Sequence, residues 1–85
     1  MKVYAALLEP VNEPSTIKIF TKVGDAITQA REWALGILDG PRMVGDHAEE
    51  LEDPCGILIT VYLRDKVEAV CSASELEVDG DHVTI

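Results

Sequence analysis

The 85-residue chain is poor in aromatic residues and in positive charge, and both shortages restrict what it can do. It holds one Trp, two Tyr and one Phe, and its 7 Lys and Arg are outnumbered by 16 Asp and Glu, for a formal net charge of −9. A protein that binds nucleic acid over a wide surface needs clustered cations to neutralise phosphates. The charge balance therefore argues against direct nucleic-acid binding.

Long apolar runs are also lacking. The N-terminal run is interrupted at Glu9, too early for the core of a secretion signal. The run over residues 57–63 is far shorter than the roughly 20 residues that cross a bilayer. These features predict a soluble, cytoplasmic protein that does not bind membranes. Cys55 and Cys71 are then most simply reduced, buried thiols, with a disulfide or redox pair as the alternative.

Sequence motifs for catalysis and metal binding are missing as well. The chain has no His-Glu-x-x-His pattern, no Cys-x-x-Cys pair, no Gly-x-Ser-x-Gly turn and no glycine-rich phosphate loop. The acids between Asp46 and Asp53 do not follow the order of an EF-hand loop. We therefore expect no enzyme activity, no metal and no cofactor.

What the chain does contain predicts a single domain over residues 1–85. Its 47% hydrophobic and 27% charged residues are typical of a globular protein, and its length allows one domain. Strands are predicted over residues 2–8 and 16–23, followed by a helix from Gly24-Asp25 to Asp39-Gly40-Pro41. The apolar residues of this helix fall on one face: Ala26, Ile27, Ala30, Trp33, Ala34, Ile37 and Leu38.

The rest of the chain predicts a long loop and then more strands. Residues 39–56 lack periodicity, which indicates an acidic loop in which residues 46–53 form one or two helical turns with Leu51 turned inward. Strands follow over residues 57–63, 67–71, 75–78 and 82–85, with a turn at Asp79-Gly80 that places His82 opposite Glu77. The predicted fold class is α+β: a two-layer antiparallel sheet of about five strands with one main amphipathic helix packed on one face, in the order ββα-loop-βββ(β).

All of the excess negative charge lies in the second half of the chain. Residues 1–44 carry five acids and five bases, whereas residues 45–85 carry eleven acids and two bases. The acids form two clusters, and the candidate partner-binding residues within them are Asp46, Glu49, Glu50, Glu52, Asp53, Glu75, Glu77 and Asp79. Short acidic runs serve either as solvated loops that keep a protein soluble or as a surface that presents carboxylates to a basic partner.

The second interpretation leads to the main functional hypothesis, a non-catalytic interaction protein. Its carboxylate clusters would dock on the basic surface of a nucleic-acid-binding protein. In size, acidity and layout the whole chain resembles the small phage-encoded inhibitors of host defence, including anti-CRISPR proteins and DNA mimics. The resemblance implies an inhibitor carried by a phage or mobile element. The alternative is a small-molecule- or peptide-binding module, possibly dimeric, that uses a sheet face with Tyr4, Phe20 and Tyr62.

Overall fold

The computed structural model describes residues 2–39, 43–79 and 82–83; of residues 78, 79, 82 and 83 it describes the backbone. The elements, in chain order, are β1 (Lys2–Pro10), β2 (Thr16–Phe20), α1 (Val23–Leu38), β3 (His47–Asp53), β4 (Gly56–Leu63), β5 (Lys66–Asp79) and β6 (His82–Val83). Five strands form an antiparallel sheet in the order β2-β1-β5-β4-β3, and the short β6 pairs with the end of β5. The predicted α+β class, with one helix on the sheet, is confirmed.

Helix α1 packs on the sheet through small side chains. Its buried residues Ala26, Ala30, Ala34 and Leu38 recur every fourth position, so they form one stripe along the helix. Alanine side chains let the helix approach the strands closely. The buried sheet residues beneath the stripe are Ala6, Ile57, Ile59, Val61, Cys71 and Ala73. The predicted apolar face of the helix is confirmed, since Ile27, Trp33 and Ile37 pack against the same cluster.

Strand residues alternate between the face that α1 covers and the opposite face, which we call the open face. On β1, Tyr4, Ala6 and Leu8 belong to the core beneath α1. The residues between them, among them Ala5 and Leu7, therefore lie on the open face.

The segment predicted as an acidic loop with helical turns is instead the edge strand β3. Glu and Asp are depleted in strands, so the local sequence does not indicate a strand. Pairing with β4, in register from His47↔Tyr62 to Asp53↔Gly56, overrides this weak preference. It provides hydrogen-bond partners for the backbone N–H and C=O groups of β4 that point away from β5. Leu51, predicted to turn inward, is 72% exposed.

Strand β5 is a single strand of 14 residues where two shorter strands were predicted. Asp79 pairs with His82 and Val78 with Val83. His82 therefore lies opposite Asp79, and the prediction that it lies opposite Glu77 is wrong. The predicted turn residue Gly80 is outside the described residues.

Candidate partner-binding surface

Strand β3 forms one outer edge of the sheet, and all seven of its residues are exposed. It contains four of the predicted partner-binding residues, Glu49, Glu50, Glu52 and Asp53, and no lysine or arginine. Within the described part of the chain, β3 pairs only with β4, which leaves the backbone groups on its other side without a strand partner. Charged side chains on such an edge discourage aggregation, and the same edge can pair with a partner protein.

The carboxylates of β3 alternate between the two faces of the sheet. Glu50 and Glu52 lie on the side of α1, where Arg31 reaches both. Arg31 Nε is 3.8 Å from Glu50 Oε1, and Arg31 Nη2 donates a hydrogen bond of 3.1 Å to Glu52 Oε2. Glu49 and Asp53 therefore lie on the side of the open face. The helical turns predicted over residues 46–53 would have placed Asp46, Glu49, Glu50 and Asp53 on one side, and that prediction is wrong.

An aromatic pair supports the open side of β3. His47 and Tyr62 are cross-strand neighbours whose rings stack, with centroids 4.6 Å apart and an interplanar angle of 9°. The Tyr62 hydroxyl donates a hydrogen bond of 3.4 Å to Glu49 Oε2. His47 Nδ1 lies 2.8 Å from the carbonyl oxygen of Gly45, an acceptor that favours the proton on Nδ1. These contacts orient the Glu49 carboxylate at the edge of the sheet.

Two of the predicted binding residues also hold the backbone at the ends of β3. Asp46 Oδ2 accepts a hydrogen bond of 2.8 Å from the Met43 N–H, and its Oδ1 accepts one of 2.9 Å from the Arg64 N–H. Asp46 therefore ties the segment before β3 to the turn between β4 and β5. Asp53 Oδ1 accepts a hydrogen bond of 2.8 Å from the Cys55 N–H and closes the turn between β3 and β4.

The second acidic cluster lies on β5. Lys2 Nζ is 3.1 Å from Glu75 Oε1, and Lys2 is the cross-strand partner of Glu77. A hydrogen bond and the charge of Glu75, with a smaller effect of Glu77, raise the pKa of Lys2. Asp79 ends β5, and its side chain is outside the described residues.

Among the side chains that the structure describes, the two acidic clusters meet at the turn between β3 and β4. There the thiol of Cys55 is hydrogen-bonded to Glu75, which raises the pKa of the thiol, and the charge of Asp53 raises it further. Elsewhere β4 separates β3 from β5. The clusters therefore join at one corner and do not form two parallel rows of carboxylates.

The open face beside β3 is apolar at its centre, a feature that was not predicted from the sequence. One row of side chains crosses all five strands: Leu51, Leu58, Ser72, Leu7 and Ile17. Leu51 is 72% exposed, Ile19 49%, and Leu58 and Ile17 42% each. The alternation around Ile17 and Ile19 signalled an apolar strand face, but the sequence did not indicate that these two side chains stay exposed.

The three aromatic residues of the alternative hypothesis do not share a face. Tyr4 and Phe20 pack against the core beneath α1, whereas Tyr62 lies on the open side with His47. Lys18 lies on the same side as Phe20, with Nζ 5.9 Å from the centre of the Trp33 ring. The helix therefore covers the sheet face on which Tyr4 and Phe20 lie.

The two cysteines are not paired with each other. Cys71 is buried, as predicted, and burial raises its pKa to about 11. Cys55 is exposed, so the prediction that it is buried is wrong.

Among the described residues, no three His, Cys, Asp or Glu side chains are grouped closely enough to hold a metal ion. The described helix is also too short and too polar to span a membrane, and the described residues contain no other candidate.

Comparison with protein-family models, with curated proteins and with solved structures finds no match to this chain. The class of protein is therefore defined by its own structure: an α+β domain with a helix on one face of the sheet and an acidic strand at its edge.

Proposed function

We propose that the protein is a non-catalytic, cytoplasmic interaction protein that inhibits a nucleic-acid-handling protein by docking on its basic surface. The proposed source is a phage or mobile element, and the proposed target is a component of host defence. The observation that carries the proposal is the position of β3, an exposed edge strand with four carboxylates and no cation. An edge strand offers a partner both backbone hydrogen bonds and side-chain charges.

The spacing of the carboxylates supports a partner that normally holds a phosphate backbone. Glu49 and Asp53 are four residues apart, so the four carboxylates of β3 span about 14 Å of strand. A single DNA strand carries one phosphate for roughly every 3.4 Å of helix axis. A basic groove that surrounds both sides of β3 therefore meets a line of charge close to that of one DNA strand.

The ion pairs of Arg31 do not prevent this use of β3. Its guanidinium and the carboxylates of Glu50 and Glu52 are about half exposed, and pairs of this kind contribute little to stability. Arginine and lysine side chains of a partner can replace or supplement Arg31 at low energetic cost. Glu49, held by the Tyr62 hydroxyl, faces the other side of the strand.

A competition assay tests the proposal. Purified basic nucleic-acid-binding proteins, including nucleases and effector complexes of bacterial defence systems, are loaded with a fluorescent duplex, and the protein is titrated in while anisotropy is recorded. We expect displacement of the duplex from at least one of them, and the displacement should weaken as salt rises because exposed charges are screened. An unrelated acidic protein of similar size and net charge controls for bulk charge.

A failure to displace the duplex from any protein in the panel at low salt contradicts the proposal. Displacement by the unrelated acidic protein to the same extent contradicts it as well. In either case the charges of β3 serve to keep the sheet edge from aggregating.

A further inference from the structure

We propose that the open face beside β3 is a trough that receives a basic amphipathic helix of the partner. This inference rests on the proposed function and deepens it, because it names the side of β3 that is engaged and the structure that the partner presents. It is carried by the shape of the open face and by the signs of the charges around it.

The trough has a floor of small side chains between two apolar walls. Its floor is formed by Ser72 and Ser74 on β5 and Ala5 on β1. Its walls are Leu51 and Leu58 on one side and Leu7, Ile17 and Ile19 on the other. The floor continues around the turn between β3 and β4 as a shallow depression of about 630 Å³. Strands β4 and β1 flank β5, so the backbones that carry Leu58 and Leu7 run about 9.6 Å apart, and β3 and β2 run about 19 Å apart. An α-helix with side chains is roughly 10–12 Å wide, so it can lie between the outer walls, above Ser72 and Ser74.

Every charged side chain on the rows that form the trough is negative. Glu9 and Glu49 lie in one row with Val70 and Thr60, and Asp53 lies at the end near Gly56. No lysine or arginine occupies these rows. A trough with apolar walls and a carboxylate rim is complementary to a helix that has an apolar stripe flanked by lysine or arginine.

The helix side of the molecule carries charges of both signs, and two of its cations contact neighbouring side chains. Lys18 contacts Gln29 and the Trp33 ring, and Arg31 contacts carboxylates of β3. These cations lie on the covered side, away from the trough. The molecule therefore separates an all-acidic open face from a mixed face.

A second copy of this chain fits the trough poorly. Two open faces in contact would bring Glu9, Glu49 and Asp53 of both copies together with no cation opposite them. The rows between Glu49 and Asp53 cover about 24 Å by 14 Å of sheet, less than half of the roughly 800 Å² that each partner buries in a standard interface. The same carboxylates repel anionic lipid surfaces and nucleic acid.

Binding of synthetic helical peptides tests the trough directly. Three labelled helical peptides of equal length are compared by fluorescence anisotropy. The first has one leucine face and one lysine face, the second one leucine face and one glutamate face, and the third one serine face and one lysine face. We expect the leucine and lysine peptide to bind most tightly. Equal binding of the leucine and glutamate peptide overturns the charge argument, and equal binding of the lysine and serine peptide overturns the apolar one.

Paired variants locate the binding. Leu51→Ser with Leu58→Ser removes one wall. We expect the affinity for the leucine and lysine peptide to fall at least about tenfold, because the exposed parts of Leu51 and Leu58 together amount to roughly one leucine side chain. Leu35→Ser is the matched control, since Leu35 is 62% exposed on α1, and we expect it to leave the affinity unchanged. Unchanged binding in the double variant, or an equal loss in the control, overturns the proposal.

Amide chemical shifts provide a second measurement that does not depend on the variants. We expect the peptide to shift the amide signals of Ser72 and Ser74 and to leave those of Ala30 and Ala34, beneath the covered side, unchanged. The opposite pattern would place the peptide elsewhere and overturn the proposal. A dimer in sedimentation that is lost in Leu51→Ser with Leu58→Ser would make a second copy the occupant and overturn it as well.

The two proposals fail separately. If the Leu51→Ser, Leu58→Ser double variant displaces the duplex from a nucleic-acid-binding protein as effectively as the original chain does, the trough proposal is refuted and the proposed function stands. If the peptide binds the trough but no nucleic-acid-binding protein is recognised, the trough stands and the proposed target class is refuted.

Discussion

Gly56→Ala should strongly destabilise the protein, because a Cβ on Gly56 would meet the backbone of the neighbouring strand β5. Gly56 is buried and begins β4 immediately after the turn from β3. A Cβ at this position would overlap the carbonyl oxygen of Ala73 and lie 2.9 Å from its carbonyl carbon and 3.3 Å from Ser74 Cα. These are backbone atoms of β5, a central strand, so no side-chain rotation relieves the overlap.

The magnitude follows from the movement that the overlap requires. The start of β4 would have to shift by on the order of 1 Å, which loosens its packing on β5, and overpacking of this kind costs about 1–3 kcal/mol. Lost strand hydrogen bonds add to that cost, so we expect Gly56→Ala to lower the free energy of unfolding by about 2–4 kcal/mol. For a domain of this length the melting temperature should fall by roughly 10–30 °C.

Gly36→Ala is the matched control for this prediction. Gly36 lies in the last turn of α1, and a Cβ there would meet nothing within 4 Å. Alanine is the better helix former, so this variant should gain about 0.5–1 kcal/mol. Urea unfolding followed by circular dichroism measures both variants. A Gly56→Ala protein as stable as the original chain would refute the close contact between β4 and β5.

Four further predictions concern the segments that hold β3 and the two thiols. Asp46→Ala removes the acceptor of two backbone N–H groups, so urea unfolding should show a loss of about 1–3 kcal/mol; a neutral result would contradict the anchoring role. Arg31→Ala breaks only exposed ion pairs and should change the unfolding free energy by less than about 1 kcal/mol, whereas a larger loss would show that they matter structurally. A thiol reagent at pH 8 should label Cys55 in the folded protein and Cys71 only after unfolding, and equal labelling of both would contradict their placement. Because burial raises the pKa of Cys71 from 9.0 to about 11, the stability due to its neutral form is present below pH 9 and lost as the pH rises toward 11. The urea midpoint should therefore fall more over this range than it does in Cys71→Val.

Much of the fold could be predicted because its hydrophobic periodicity is clear. The alanine stripe of α1 repeats every fourth residue, and Ile59 and Val61 mark the buried side of β4, so the helix and this strand were recognised. Strand β3 could not be recognised, because its acid-rich sequence is unfavourable for a strand and its pairing depends on the free side of β4. The secondary structure of such a segment is decided by pairing with a distant strand, and no local sequence pattern indicates that pairing.

The candidate site was predicted in composition but not in arrangement. Charge clustering correctly located acids on an exposed surface, since every residue of β3 is exposed. The division of Glu49 and Glu50 between two faces follows from strand alternation, which a predicted helical turn could not give. The backbone contacts of Asp46 and the stacking of His47 on Tyr62 depend on residues brought together from distant parts of the chain.

Affinity measured with two charge-matched double variants tests most directly whether β3 is the partner-binding edge. Glu49→Lys with Glu50→Lys reverses the charge on both sides of β3, whereas Glu13→Lys with Glu32→Lys makes the same change in net charge at exposed positions outside it. Against a nucleic-acid-binding protein from which the original chain displaces the duplex, we expect the first variant to lose at least about 30-fold in affinity and the second to stay within about threefold. An equal loss in both variants, or full affinity in the first, would contradict the account.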